Sequence, residues 1–250
     1  MCDVRVGDLS FRVLSAGPST SGRAPFVLVH GIGMSHRYLS RLHDELVQRG
    51  HRVHSVDLPG FGGLPRPAGD LDVAAMARAM TVVLDRCAVP PAVLVGQSMG
   101  AQWVTESARL RPTLGVALIG PVADERHRTP SQHALALGVD TLREPPGANL
   151  LVLTDYLRCG LPWYRTQLRH MLAYPLEDGI RALRVPLLLI RGGRDPIAGL
   201  TWCRRLARAG ADAELVIVPG HAHNCQHSAP RAVASALLSF SLRLTPGEAA

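Results

Sequence analysis

Residues 94–101 read LVGQSMGA, and within them Gly96-Gln97-Ser98-Met99-Gly100 fits the pattern G-x-S-x-G. The apolar run AVLVGQS leads into the serine, and MGAQWVTESARLR, with the pattern of a helix stopped before Pro112, leads out of it. A serine between a buried strand and a helix sits on a sharp, strained turn. Side chains two residues to either side would collide there, which accounts for glycine at 96 and 100. The turn holds the Ser98 hydroxyl at the head of a helix, where the N-terminal dipole and free N–H groups favour developing negative charge and the amide of Met99 is available to an oxyanion. The bland alternative is a glycine-rich helix entry, and the strand before and helix after the motif weigh against it. A hydroxyl of ordinary acidity is a poor nucleophile, so Ser98 requires a base and an acid that orients the base. On this kind of turn both follow downstream, acid first and histidine second.

Outward from this motif, strands and helices alternate. VRVGDLSFRVL suggests an N-terminal hairpin turning at Gly7-Asp8, and PFVLVHG a buried parallel strand ending at Gly31. A helix is expected from about Arg37 to Arg49, closed by Gly50. HRVHSVDLPG is the next strand and turn, DVAAMARAMTVVLDRCA carries apolar residues at helical spacing, and LGVALIG is a strand after the serine motif. The rhythm breaks between about Pro121 and Arg184, where three helices are expected, punctuated by Pro145-Pro146-Gly147 and Gly160-Leu161-Pro162. It resumes with VPLLLIRGG, a helix around Thr201 to Arg208, AELVIVPG, and a final helix from about Pro230 to Leu242. Such alternation predicts a mostly parallel, twisted sheet with helices on both faces, because right-handed crossovers place them there. The expected organisation is an α/β core of residues 1–120 and 185–250 with a short helical lid over 121–184, and a site at the carboxyl ends of the strands. The last residues, TPGEAA, read as a frayed tail.

The totals agree with one globular domain carrying an insertion: 250 residues, 47% hydrophobic and 19% charged. The net charge of +7 comes entirely from arginine, since the chain has no lysine, and the arginines are spread along its whole length. With only 4% aromatic residues, the basic runs interleaved with aromatics that signal nucleic-acid binding are missing, and no nucleic-acid partner is expected. Cys2, Cys87, Cys159, Cys203 and Cys225 are odd in number and form no C-x-x-C pair, which reads as reduced thiols. MCDVRVGDLSFRVLSAG lacks the apolar core of a signal peptide, and no run approaches about 18 apolar residues, so a cytoplasmic protein without a membrane span is expected.

Downstream of Ser98, LLLIRGGRDPIAG (187–199) delivers Asp195 in a turn before Pro196. An Asp before Pro is often only turn chemistry. This one lies at the carboxyl end of the strand that restarts the alternation, where a site should assemble. VIVPGHAHNCQHSAPRAV (216–233) then packs His221, His223 and His227 into seven positions. They could be one base with bystanders, loop decoration or metal ligands. A metal is disfavoured because no nearby cysteine or carboxylate cluster completes three or four ligands.

Five stretches taken in order, LVHGIGMSHRYLSRL (28–42), VDLPGFG (56–62), LVGQSMGA, IRGGRDPIA (190–198) and VPGHAHNCQHSAPRAVASALLSF (218–240), resemble the α/β-hydrolase fold superfamily over nearly the whole chain. The resemblance implies backbone oxyanion donors at Ile32 and Met99, a structural His30, and an Asp57 that belongs to a turn. It also selects among the histidines. Family members read P-G-x-G-H, with the base about seven residues before the proline of the last helix, which implies His223 before Pro230. His221 then stands where a small residue is usual, Ala222 replaces the usual glycine, and His227 becomes a rim residue. The remaining histidines are expected at the surface.

The combined expectation is an α/β-hydrolase-fold serine hydrolase in which Ser98, His223 and Asp195 carry the chemistry. The largely apolar lid suggests a small to medium hydrophobic ester, lactone or related acyl substrate. Gly31, Tyr156, Leu161, Trp163, Tyr164, Met171 and His221 are candidate pocket residues, with Gly60, Gly62 and Gly63 letting a loop pass nearby. No metal and no cofactor is called for, and a monomer or homodimer acting on a small molecule is expected. Two rivals stand beside this reading. One is a C–C bond hydrolase of a dienoic diketone-like substrate, disfavoured by Ile32 and Met34 where a run of glycines would be expected. The other is a non-hydrolytic binding or cyclase scaffold that uses the same pocket.

Overall fold

The computed structural model describes residues 1–19, 22–124 and 154–244. Eight strands form one sheet: β1 (Cys2–Val6), β2 (Leu9–Ala16), β3 (Phe26–Val29), β4 (Val53–Asp57), β5 (Val93–Gln97), β6 (Gly115–Ile119), β7 (Leu187–Gly192) and β8 (Ala213–Val218). Their order is β1-β2-β4-β3-β5-β6-β7-β8. β1 and β2 form the expected hairpin and pair antiparallel with each other and with β4, while β3 through β8 run parallel. The chain is therefore an α/β-hydrolase fold.

The strand sequences explain the layering. Every residue of β3, β5, β6 and β7 is buried, as expected where helices cover both faces of a parallel sheet. Alternate side chains feed two separate cores, because successive residues of a strand point to opposite faces. Val27, Val29, Leu94, Val116, Leu118, Leu187 and Leu189 pack on one side with residues of α2 (Val73–Arg86), α3 (Gly100–Ala108) and α6 (Leu200–Ala209). Phe26, Leu28, Val93, Val95, Ala117, Ile119, Leu188 and Ile190 pack on the other with α1 (Ser40–Gln48) and α7 (Pro230–Leu244). Asp72 caps α2 by accepting the Ala75 N–H at 2.7 Å. Among the described residues no helix is long and apolar enough to cross a membrane.

Between β6 and β7 the described chain is helical over 154–159, then forms α4 (Leu161–Ala173) and α5 (Leu176–Arg181). The break at Gly160, with φ of +71°, and Pro162 in the first turn of α4 match the punctuation expected from the sequence. The part of the expected lid at 125–153 lies outside the described residues. The departing strand is tied to the core, where the Trp202 indole N–H donates to the Pro121 carbonyl at 3.0 Å and Arg205 bonds both Asp124 and Glu177 at 2.8 Å.

Candidate active site

The carboxyl ends of neighbouring parallel strands bring the chemistry together. Ser98 follows β5, Gly120 follows β6, Asp195 follows β7 and His223 follows β8. The strand register sets their heights, since the Ser98 N–H donates to the Ile119 carbonyl at 2.9 Å and the Gly120 N–H to the Ile190 carbonyl at 2.8 Å.

Ser98 has a φ of +56°, the left-handed region that L-residues avoid, and is 9% exposed. Strain of this kind costs about 1–3 kcal/mol and persists only when the surroundings enforce it. Here they do. A Cβ on Gly96 would lie 2.3 Å from the Gly100 carbonyl oxygen, and one on Gly100 would lie 2.5 Å from the Val29 carbonyl oxygen. The strand-to-helix crossing closes this tightly only with glycine at both positions.

The loop after β3 passes directly over the serine, since a Cβ on Gly31 would lie 2.8 Å from Ser98 Cβ. A turn closed by Met34 N–H to the Gly31 carbonyl, 3.2 Å, has Ile32 and Gly33 at its centre, and Gly33 takes a φ of +77°. Among the described residues neither the Ile32 nor the Met99 N–H is spent on a backbone carbonyl. His30 holds this turn from beneath. Its Nδ1 lies 2.7 Å from the Gly31 carbonyl oxygen, and its Nε2 accepts the Leu58 N–H at 3.3 Å. Burial lowers the basicity of His30 despite Asp57 and the Gly31 carbonyl, so the ring is neutral with its proton on Nδ1. The Gly31 carbonyl and the Ile32 N–H belong to one planar trans peptide and point in opposite directions. Fixing the carbonyl therefore aims the Ile32 N–H.

The acid and the imidazole meet across β7 and β8. His223 Nδ1 lies 2.9 Å from Asp195 Oδ2, and each residue is 4% exposed. Asp195 Oδ1 accepts the N–H groups of Ile197 at 2.8 Å and Ala198 at 2.9 Å. Burial by itself would raise the Asp195 pKa, but the facing His223 and these two amides outweigh it and hold the carboxyl below its ordinary value. An ionised Asp195 accepts only, so Nδ1 carries the proton and Nε2 is left with a lone pair. Gly120 makes room for the ring, since a Cβ there would lie 2.9 Å from both His223 Cε1 and Nδ1.

Arg191, a residue the sequence reading passed over, sets the acid loop. It is buried, and its guanidinium donates to the carbonyls of Asp195 and Ala198, both at 2.9 Å, and of Gly193 at 3.3 Å. An arginine closing an otherwise apolar strand, LLLIR, was the available signal.

The other expected residues separate. His221 turns away from Asp195, its Nδ1 lying 2.9 Å from Ser228 Oγ. His227 is not at a rim, because it is buried and stacked on Tyr38 with ring centroids 5.6 Å apart. The surface expectation is also corrected for three of the remaining histidines, while His127 and His133 lie outside the described residues. His43 and His54 are buried with Nδ1 2.8 Å from the hydroxyls of Ser55 and Ser15, and His51 is buried with Nδ1 3.0 Å from the Ala24 carbonyl. Small hydroxyls and a carbonyl in the core partner the Nδ1 of these rings, which composition cannot reveal. Asp57 is fully buried and bonds the backbone N–H of His36 at 2.5 Å and its ring Nδ1 at 2.7 Å, stiffening the start of the helix after the β3 loop.

Of the residues expected in a lid, Tyr156 lies on the β3 loop, since a Cβ on Gly33 would meet its ring at 2.1 Å. Tyr164 packs edge-on against it with centroids 5.2 Å apart. Trp163 covers Gly60, whose added Cβ would lie 2.3 Å from the indole nitrogen. Met171 is buried in the core, and its carbonyl accepts from Gln102 at 2.9 Å. Leu161 is 65% exposed at the first turn of α4 and is not part of this aromatic group.

Residues 26–236 match the alpha/beta hydrolase family. A curated relative, the dihydrolipoyllysine-residue acetyltransferase component of an acetoin cleaving system from Pseudomonas putida, is 27% identical over 88% of this chain and 64% of its own length. The chain spans about half to two thirds of the length of the first curated relatives it matches. A thermophilic esterase from Thermogutta terrifontis superposes with a TM-score of 0.82 at 20% identity, covering 98% of this chain and all of that one. An enol-lactonase from Burkholderia xenovorans superposes with a TM-score of 0.81 at 20% identity, covering 96% and 99% of the two chains. At these identities the structural likeness speaks for the fold. With the family match extending over most of the sequence, the chain belongs to the alpha/beta hydrolase family.

Proposed function

We propose that the protein is a serine hydrolase that cleaves a small to medium hydrophobic ester, lactone or related acyl substrate through an acyl-enzyme. The observation that carries this reading is the 2.9 Å contact between Asp195 and His223 at the strand ends beside a serine held at a φ of +56°. Ser98 Oγ attacks the acyl carbon as its proton passes to His223 Nε2, and the carbonyl electrons move to oxygen. The N–H groups of Ile32 and Met99 receive that negative charge. His223 returns the proton to the leaving oxygen as the bond to the acyl carbon breaks. It then deprotonates a water that releases the acid and restores the Ser98 hydroxyl. Asp195 stays ionised throughout, fixing the tautomer and stabilising the imidazolium. The rings of Tyr156, Trp163 and Tyr164 over the neighbouring loops support a hydrophobic substrate.

The test measures hydrolysis of p-nitrophenyl acetate and butyrate, together with labelling by a fluorophosphonate. Wild type is expected to turn over and label, Ser98→Ala and His223→Ala to lose about 10⁴-fold or more in kcat, and His221→Ala to stay near wild type. Wild-type activity in Ser98→Ala would overturn the mechanism. Labelling of Ser98 without turnover of any ester would favour a binding scaffold.

A further inference from the structure

We propose that Asp155 is a positioning residue that clamps Tyr156 onto the turn carrying the Ile32 N–H. The inference rests on the serine-hydrolase reading. Asp155 is fully buried although it belongs to the short helical stretch over 154–159. Removing a carboxylate from water is unfavourable unless it is well partnered. Two of its partners lie about 120 residues away in the chain, on the segment after β3. Ser35, also fully buried, donates its hydroxyl to Asp155 Oδ2 at 2.6 Å, and Arg37 donates to Oδ1 at 3.2 Å. Arg158 adds its charge at 3.8 Å from the helical stretch itself. The carboxylate is aimed into the segment after β3, and the buried hydroxyl gives a short, charge-assisted bond.

The neighbouring residue shows what this bond accomplishes. Successive helical residues are rotated by about 100° around the axis, so pinning Asp155 also sets the direction of Tyr156. The Tyr156 ring then rests on Gly33, the residue after Ile32, and is braced edge-on by Tyr164. The β3 turn is thus packed against both His30 and Tyr156, and the proposed clamp acts on it through Tyr156, with Ser35 as the anchor of Asp155. Loss of the clamp would loosen the turn without removing any group that touches the reacting atoms.

The test compares wild type with Asp155→Ala, Asp155→Asn, Tyr156→Ala and the Asp155→Ala/Tyr156→Ala double variant. Two rates are measured, hydrolysis of p-nitrophenyl acetate and fluorophosphonate labelling of Ser98, the second of which requires no substrate. Asp155→Ala is expected to lower kcat and the labelling rate about tenfold while the KM for p-nitrophenyl acetate changes less than about twofold. The amide oxygen of Asp155→Asn can still accept the Ser35 hydroxyl, so this variant should recover to within about threefold of wild type. The double variant should be no slower than Tyr156→Ala, because the two changes break one chain of contacts. Losses that multiply, or an Asp155→Ala variant as fast as wild type, would overturn the positioning role. If Asp155→Ala does not fold, Ser35→Ala removes the same bond by deleting one hydroxyl and is held to the same outcomes. A wild-type protein that neither labels nor hydrolyses would sink the hydrolase reading and the clamp with it, whereas labelling indifferent to these variants would sink the clamp alone.

Discussion

Replacing Asp195 by Asn changes hydrogen-bonding character without changing shape, and the surroundings dictate which way the new amide must turn. Oδ1 accepts two backbone N–H groups, from Ile197 at 2.8 Å and Ala198 at 2.9 Å. An NH₂ in that place would face two donors and leave both buried amides unpaired, at about 1–3 kcal/mol each. The amide oxygen therefore occupies the Oδ1 position and the NH₂ takes that of Oδ2, 2.9 Å from His223 Nδ1. That NH₂ donates, so Nδ1 must accept and the imidazole proton moves to Nε2, the atom that takes the Ser98 proton in the proposed mechanism. Reaching the productive tautomer then requires the unfavourable orientation, about 2–6 kcal/mol uphill for the two amides together. Loss of the carboxylate charge opposite the imidazolium adds to this, so a fall in kcat of about 10³- to 10⁴-fold is expected. The assay is steady-state hydrolysis of p-nitrophenyl acetate near pH 8. Nitrogen NMR of His223 reads the tautomer directly, and a thermal melt checks the fold. A folded Asp195→Asn protein within tenfold of wild type, or one whose Nδ1 remains protonated, would refute the reasoning.

Three further outcomes follow from the geometry. His30→Ala removes the 2.7 Å contact on the Gly31 carbonyl, leaving the Met34 N–H as that carbonyl's hydrogen-bond partner. It should lower kcat about 10- to 100-fold with little change in KM, and a change confined to KM would contradict this. Gly100→Ala forces a methyl to within 2.5 Å of the Val29 carbonyl oxygen and 2.6 Å of the His30 carbonyl oxygen. Both are backbone atoms that cannot rotate away, so denaturant unfolding should show a loss of about 3 kcal/mol or more, and an unchanged midpoint would be decisive against it. His54 has its pKa lowered from 6.5 to about 4, first by burial and then by Arg52, His43 and Arg111. Between those two values the unfolded chain binds the extra proton, so stability is full above 6.5 and falls as the pH drops toward 4. This group should remove about 2 kcal/mol of stability between pH 7.5 and 5, and His54→Gln, compared by urea titration at both pH values, should shrink the pH dependence by that amount.

What could be read without coordinates was set by local sterics and periodicity. The strand-to-helix crossing at Ser98 demands glycine at 96 and 100 wherever it occurs, so the motif carried its own geometry. The largely apolar runs of β3, β5, β6 and β7 announced a sheet covered on both faces. Asp195 was placed by its position at a strand end, because the register of a parallel sheet gathers such ends on one edge.

Tertiary structure decided everything that depends on what a side chain faces. His221 and His223 are two residues apart on an irregular loop, and no local rule says which ring turns toward Asp195. The fold turned His223 to the carboxylate and His221 to Ser228. The buried histidines escaped sequence reading because an imidazole is compatible with a core only where a partner such as Ser15, Ser55 or Ala24 happens to meet it. The same holds for Arg191, whose three carbonyl partners lie on the loop that follows its own strand. Asp155 and Ser35 are separated by about 120 residues and become neighbours only when the helical stretch over 154–159 meets the β3 loop. Local sequence sets backbone shape through short-range sterics, whereas a polar side chain is matched to its partner by packing between distant segments, and only the folded chain brings those together.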